Sequence, residues 1–360
     1  MRKIKTAFIS FLLLAAGCTP QKQVLEDIQL VGAVGYDYVD GKKIEATVAV
    51  PVSTGGSQQA TLSSTTFSAK SHTSKNIRQV LQSESPRPFA TGRVSTIMFD
   101  EELAEHGITK IIDSIQRDPS VGRNIYLAVV KGKTKDLLNK QYPVGDIAPV
   151  YLKRLIEQNT ELTLPRYNLH HFNYSYYGKG SDPFMAYIDQ KEGHIRIAGL
   201  ALFDHSKYVG HITFSDTFIF KLMYENFRQG THEFKLGKEN HLTVENLNSR
   251  VNYDITHSKT NPKINIKIHI KGKVNDAAAT PLYEKKKIDM IERTIKKQTE
   301  HQAEAMVDRF QKKGIDPLGL GDITRSRYRH FNFNEWKKAY PDVPVDVNVD
   351  IRVTQAGIVE

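Results

Sequence analysis

His170 and His171, with His194, His205 and His211, are the side chains of this 360-residue chain whose type most readily suggests a metal centre. A structural or catalytic zinc needs three or four ligands at defined spacing, and an H-E-x-x-H helix supplies two imidazoles one turn apart beside a carboxylate. These histidines match neither arrangement, and no metal is expected. Two glycine-rich stretches suggest phosphate chemistry. "GAVGYD" from Gly32 lacks the third glycine that opens a helix in a dinucleotide turn, and "GIDPLGLGD" from Gly314 lacks the Lys-Ser/Thr of a phosphate loop. No G-x-S-x-G elbow occurs, and the pair Glu101-Glu102 falls among other charges on a predicted helix, where a solvated face is the default. The aromatic group Tyr174, Tyr176 and Tyr177 could stack on a ligand, but its neighbours are turn formers and a wet connecting loop is expected. No catalytic residue, metal or cofactor emerges, and the chain does not read as an enzyme.

The single cysteine, Cys18, is placed differently. Arg2, Lys3 and Lys5 form a basic tip, Ala7 to Ala16 is apolar apart from Ser10, and polar residues begin at Thr19. That is the layout of a secretory signal peptide, and the run falls short of the roughly 20 residues a membrane span requires. Small residues at Ala16 and Gly17 precede the thiol, so the segment resembles a bacterial lipobox, with Ala15 where Leu is usual. Cleavage before Cys18 would leave a diacylglycerol-modified N-terminus. No other cysteine is present, so no intramolecular disulfide can form and core packing must hold the fold.

The formal charge is +10, and removal of residues 1–17 leaves 47 basic against 40 acidic side chains, or +7. This excess favours an anionic membrane surface. A chain of this size usually divides into two or three domains. The expected organisation is a signal peptide over 1–17, a lipidated tether over 18–23, an N-terminal α+β region over 24–178 holding two sub-domains, and a C-terminal α+β domain over 179–360.

The elements follow from local patterning. Asp40-Gly41 between two apolar runs predicts a tight hairpin, and the Ser/Thr/Gly-rich segment from Ser53 to Ser74 predicts a loop followed by a strand. Helices are expected over 75–82, capped by Thr73 or Ser74, and over 101–105 and 109–116, with strands over 94–99 and through "NIYLAVVKG". Helical pieces broken at Pro143 and Pro149 follow, and then "RYNLHHFNYSYYGKGSDP" as a connection. In the second half, "HIRIAGLALFDHSKYVGHITF" predicts strand, turn and strand. A helix capped by Ser215 or Asp216 and ended by Gly230 comes next. Ile264, Ile266, Ile268 and Ile270 alternate with polar residues, and so do Val343 to Val353 at the end of the chain. Ile288, Ile291, Ile295, Met306 and Phe310 mark one face of a long helix over 282–313. Lys267, His269 and Lys271 on one alternating strand and Asp346 and Asp350 on the other predict that the two strands are neighbours.

Several of these stretches together resemble the Ger(x)C lipoproteins, the C subunits of nutrient germination receptors in spore-forming bacteria. They are Glu26 and Asp27 before "LVGAVGYD", "GRVSTIMFDEELAEHGITKIIDSIQRDP", "GLALFDHSKYVGHI", and "DPLGLGDITRSRY" followed by "WKKAYPD". Thr19-Pro20 stands where the family often has Trp-Asp. The resemblance implies three α+β domains, each a mixed or antiparallel sheet with packed helices, hung by lipid on Cys18 from the outer face of the spore inner membrane. It implies two membrane-embedded partners, the A and B subunits, and a non-catalytic role in assembly or signalling. It does not define the partner-binding residues or say whether this subunit contacts the nutrient. For "DPLGLG" the residues themselves give a reading: Gly314 ends the long helix, Asp316-Pro317 redirects the chain, and Leu318 and Leu320 are buried beneath Trp336. A lipid-anchored solute-binding protein of a transporter is the alternative, but it predicts two lobes of alternating parallel strands and helices. The hairpin at Asp40-Gly41 and the alternation of the last strand, read as antiparallel, argue against it.

Overall fold

The computed structural model describes residues 27–54, 61–142, 146–191, 193–237, 240–256, 262–277 and 285–354. Cys18 and the expected signal peptide and tether lie outside the described residues. In chain order the first part comprises β1 (Gln29–Leu30), β2 (Ala33–Asp40), β3 (Lys43–Thr54), β4 (Thr61–Ser71), α1 (Ser74–Ser83), β5 (Phe89–Ala90), β6 (Thr96–Asp100), α2 (Glu101–His106), α3 (Thr109–Gln116) and β7 (Tyr126–Val130). Then come α4 (Thr134–Asn139), α5 (Ala148–Leu162), α6 (Leu169–Tyr177), β8 (Phe184–Lys191), β9 (His194–Asp204), β10 (Lys207–Thr213) and α7 (Phe214–Tyr224). The last part is β11 (Thr231–Lys235), β12 (His241–Thr256), β13 (Lys263–Ala277), α8 (Lys285–Lys313), α9 (Leu320–Arg327), α10 (Phe333–Ala339) and β14 (Val345–Thr354). The class is α+β.

An eight-stranded mixed sheet has the order β10-β9-β8-β7-β6-β2-β3-β4. Its four central strands, β8, β7, β6 and β2, run parallel, and antiparallel hairpins complete both ends. The sheet continues across the expected boundary at 178/179, because β8, β9 and β10 complete it. The hairpin joining β2 to β3 turns at Gly41 (φ 46°), with Asp40 opposite Lys43. A four-stranded sheet has the order β11-β12-β13-β14, and β1 pairs in parallel with β5.

The predicted neighbours are β13 and β14, with His269 opposite Asp350. Lys263 reaches Asp346 at 2.7 Å and His269 reaches Asp350 at 3.4 Å, whereas Lys267 pairs with Asp254 on β12. The two strands run parallel, however, which corrects the antiparallel reading. Alternation reports that one face is buried; direction is set by the crossover through α8, α9 and α10. Along the free edge of β14, Glu292, Glu300 and Glu304 of α8 accept the N–H groups of Val353, Val349 and Val347 at 2.8, 2.9 and 3.3 Å. Twelve residues of helix span about 18 Å and six of strand about 20 Å, so helix and edge keep step.

Three further local expectations change. The aromatic connection contains a helix, α6, because Asn168 caps it by accepting from His170 and His171 N–H and because Phe172 and Tyr176 are buried. Its poor intrinsic propensity is overridden by that packing. Helix α7 starts after Thr213 and ends at Tyr224, with Gly230 (φ 107°) further on, packed against the Leu162 carbonyl. Pro149 sits in the first turn of α5 and starts the helix instead of breaking it.

Candidate functional site

Strand β2 presents two faces with different tasks. On one, Gly35 leaves room for helix α4: a Cβ there would lie 2.2 Å from Thr134 Oγ1 and 2.7 Å from Thr134 Cβ. Buried Asp37, two residues on, accepts the N–H groups of Thr134 at 2.6 Å and Lys135 at 3.0 Å, supplying a cap that Lys133 at the N-cap position does not. Burial raises the Asp37 pKa while those two N–H groups act the other way. At the end of β6, Asp100 accepts from Leu103 N–H and Tyr38 N–H at 3.0 Å each and from Lys133 Nζ at 2.5 Å. Lys133 also reaches the Tyr38 carbonyl and Glu102. The "GAVGYD" stretch is therefore a strand that docks a helix, and its carboxylate is consumed in capping.

The other face of β2, with Val34, Tyr36 and Tyr38, lines open space. Tyr38 stacks on His106 at 4.2 Å in the wall of a groove of about 720 Å³. The groove runs between the β2–β3 turn, the first turns of α1 and α3, and the β9–β10 turn. Lys42, Lys43, Lys75, Lys110, Arg117 and Lys207 line it against one carboxylate, Asp113, which accepts from the Tyr177 hydroxyl at 3.0 Å. Val34 and Tyr36 line a neighbouring apolar chamber of about 380 Å³ between the sheet and helices α1 and α3.

The histidines do not converge. His171 Nδ1 lies 2.8 Å from Asn168 Oδ1, and burial followed by the neighbouring His170 lowers its pKa. His205 stacks on Tyr176, and His211 sits 2.8 Å from the Tyr208 hydroxyl and stacks on Tyr187. His194 opens β9 opposite Lys191. Among the described residues no group of three His, Cys, Asp or Glu could hold a metal ion. Glu101 accepts from the Tyr187 hydroxyl and Glu102 pairs with Lys133, so neither is part of a carboxylate pair poised for acid–base work. Tyr174 and Tyr177 are exposed on α6 while Tyr176 is buried.

In "DPLGLG", Asp316 is 5 % exposed and accepts from Leu320 N–H at 2.9 Å and Gly321 N–H at 2.7 Å. Its own N–H donates to Asp182 at 2.7 Å, and burial pushes its pKa up to about 7. The loop thereby clasps the segment leading into β8, and Leu318, Leu320 and Trp336 are all buried. Lys221 of α7, 1 % exposed, donates to the Thr160 carbonyl at 2.7 Å near the end of α5, with its pKa lowered by burial. Asp37, Asp182, Lys221 and the groove cations were not singled out by sequence. Only the helix-breaking signature around Asp316 announced its position in advance. Among the described residues no helix is long and apolar enough to cross a membrane.

These features define an α+β scaffold whose buried carboxylates cap helices and clasp loops and whose open concavity is cationic. Two family models match nearly end to end: the spore germination protein N-terminal domain over residues 21–190, and the spore germination B3/GerAC-like C-terminal domain over 198–357. The chain belongs to this spore germination family. It is similar to spore germination protein GerQC of Bacillus cereus, with 32% identity over 98% of this chain and 99% of that protein. It is also similar to the putative spore germination protein YfkR of Bacillus subtilis (strain 168), with 22% identity over 96% of this chain and 94% of that protein. The crystal structure of the GerBC protein has the same fold, with TM-score 0.61 and 15% identity over 86% of this chain and 93% of that one.

Proposed function

We propose that the chain is the C subunit of a spore nutrient germinant receptor, anchored by lipid on Cys18 to the outer face of the spore inner membrane. It acts there without catalysis, in assembly or signalling with the membrane-embedded A and B subunits. Residues 1–17 are a cleaved signal peptide in this reading, and 18–23 a tether. The observation that carries it is the match to both halves of the germination family over residues 21–190 and 198–357. The absorption of the motif carboxylates into capping, at Asp37, Asp100 and Asp316, supports a non-catalytic role.

The test is deletion of the gene, with dipicolinate release followed from purified spores across amino acids and sugars. Loss of response to some nutrients is expected, with a receptor-independent trigger still effective and rescue by the wild-type gene but not by Cys18→Ala. Unchanged germination in a strain that has lost all related receptors would overturn the proposal.

A further inference from the structure

We infer that the basic groove and the apolar chamber beside it form one binding site for an anionic amphiphile, a carboxylate or phosphate head on an apolar body. The two cavities share Ser74, Lys75, Ser114 and Arg117 as a common wall. The head end is set by charge. Lys42, Lys43, Lys75, Lys110, Arg117 and Lys207 come from four separate segments, and among the described residues none of them is in an ion pair. Neighbouring cations are neutralised: Arg78 by Asp118 at 2.9 Å, both in the chamber lining, and outside both cavities Lys135 by Glu45 at 2.7 Å and Lys133 by Asp100. Solvated lysines scattered singly need no explanation, but six unpaired cations around one concavity repel each other and raise the local concentration of an anion.

The body end is set by the chamber lining. Val34, Val48, Ile77, Leu81, Phe89 and Ile97 are buried side chains around a space within the range that holds small ligands. Tyr36 also lines it, and its hydroxyl has no hydrogen-bond partner among the described residues. A nucleotide base placed against these six apolar side chains would lose water from its polar edge at a desolvation cost. A free inorganic anion would leave the apolar wall wet. A largely apolar chain or ring, joined to an anionic head, suits both ends.

The head chemistry is shared by a membrane phospholipid and a free fatty acid, and the experiment separates them. Full-length protein carrying Cys18→Ser, and therefore unlipidated, is titrated with the fluorescent fatty acid cis-parinaric acid and with its methyl ester. Competitors are inorganic phosphate and phosphatidylcholine vesicles with or without phosphatidylglycerol. The leader segment is common to every variant, so differences between variants report the site. Saturable binding of the acid is expected, with the ester weaker and no displacement by phosphate. Displacement by phosphatidylglycerol vesicles alone assigns the site to membrane lipid; indifference to both vesicle types assigns it to a free acid.

Lys75→Glu with Arg117→Glu, both on exposed positions, should weaken the acid by about tenfold or more and leave the ester unchanged. Val34→Phe should fill the chamber, weaken both probes, and keep the melting temperature. The inference is overturned if charge reversal leaves acid binding intact, or if acid and ester bind alike. It is equally overturned if Val34→Phe either lowers the melting temperature as a packed core would or folds normally with binding intact.

Discussion

Replacing Gly35 by alanine tests whether "GAVGYD" owes its glycine to helix docking. The added methyl would lie 2.7 Å from Thr134 Cβ and 3.1 Å from Leu138 Cδ1, against a normal carbon–carbon separation of about 3.5–4.0 Å. Helix α4 must therefore retreat by about 1 Å. Overpacking of this kind costs about 1–3 kcal/mol. The same retreat opens the Asp37 bonds to Thr134 and Lys135 N–H, a cap worth about 0.5–2 kcal/mol. Gly35→Ala should thus destabilise by about 2–4 kcal/mol. Thr134→Gly removes both of the nearest atoms, so in the double variant the methyl occupies space the threonine has vacated. Urea unfolding of the wild type, both single variants and the pair gives the coupling energy, expected to be about 1–3 kcal/mol in the compensating direction. A Gly35→Ala cost below about 0.5 kcal/mol, or strict additivity of the two changes, would refute the docking argument.

Asp316 gives a pH prediction with the opposite sign to an ordinary salt-bridged aspartate. Its folded pKa is raised to about 7 from 3.8, so the native state holds a proton the unfolded chain has released, and stability falls as pH rises between about 4 and 7 before levelling. The shift corresponds to at most about 4 kcal/mol, and Asp316→Asn should flatten that part of the urea-midpoint profile while losing one of the two N–H bonds at all pH values; a variant profile parallel to the wild type would sink the assignment. Along β14, Glu300→Ala leaves Val349 N–H unpaired and should cost about 1–3 kcal/mol. Joint replacement of Glu292, Glu300 and Glu304 by alanine exposes the edge and should produce concentration-dependent self-association by light scattering, whereas a triple variant that stays monomeric would remove edge protection as their role.

What the sequence revealed was local. The Asp40-Gly41 hairpin, the apolar stripe of α8 and the alternation of β13 and β14 are each written in residues a few positions apart, and each is present. The parallel direction of β14 was also readable, because a long helix between two neighbouring strands is a crossover, and a crossover joins parallel strands. Helix α6 was hidden because its histidines, asparagine and tyrosines have weak helical propensity and are held by Asn168 and by packing of Phe172 against Phe203. Burial of Asp37 and Asp316 was invisible because nothing local distinguishes a capping carboxylate from a solvated one. The groove was least legible of all. Its cations come from the β2–β3 turn, α1, α3 and its end, and the β9–β10 turn, and only the fold brings them together.

The residues through which the family resemblance was drawn turn out to sit at joints. Gly35 and Asp37 seat α4, Asp100 caps α2 and holds Lys133, and Ser206 accepts the N–H of Ile108 next to Gly107. Gly199 lets β9 approach the Ile212 carbonyl, and Asp316, Gly319 and Gly321 fold the "DPLGLG" loop onto Gly180 and Asp182. In each case the polar atom is already satisfied, and a satisfied buried group has little left to offer a ligand. The groove has the reverse character. Its charges make no ion pair among the described residues and its neighbouring apolar wall is not closed off, so the free energy that folding spent elsewhere is there still available for binding.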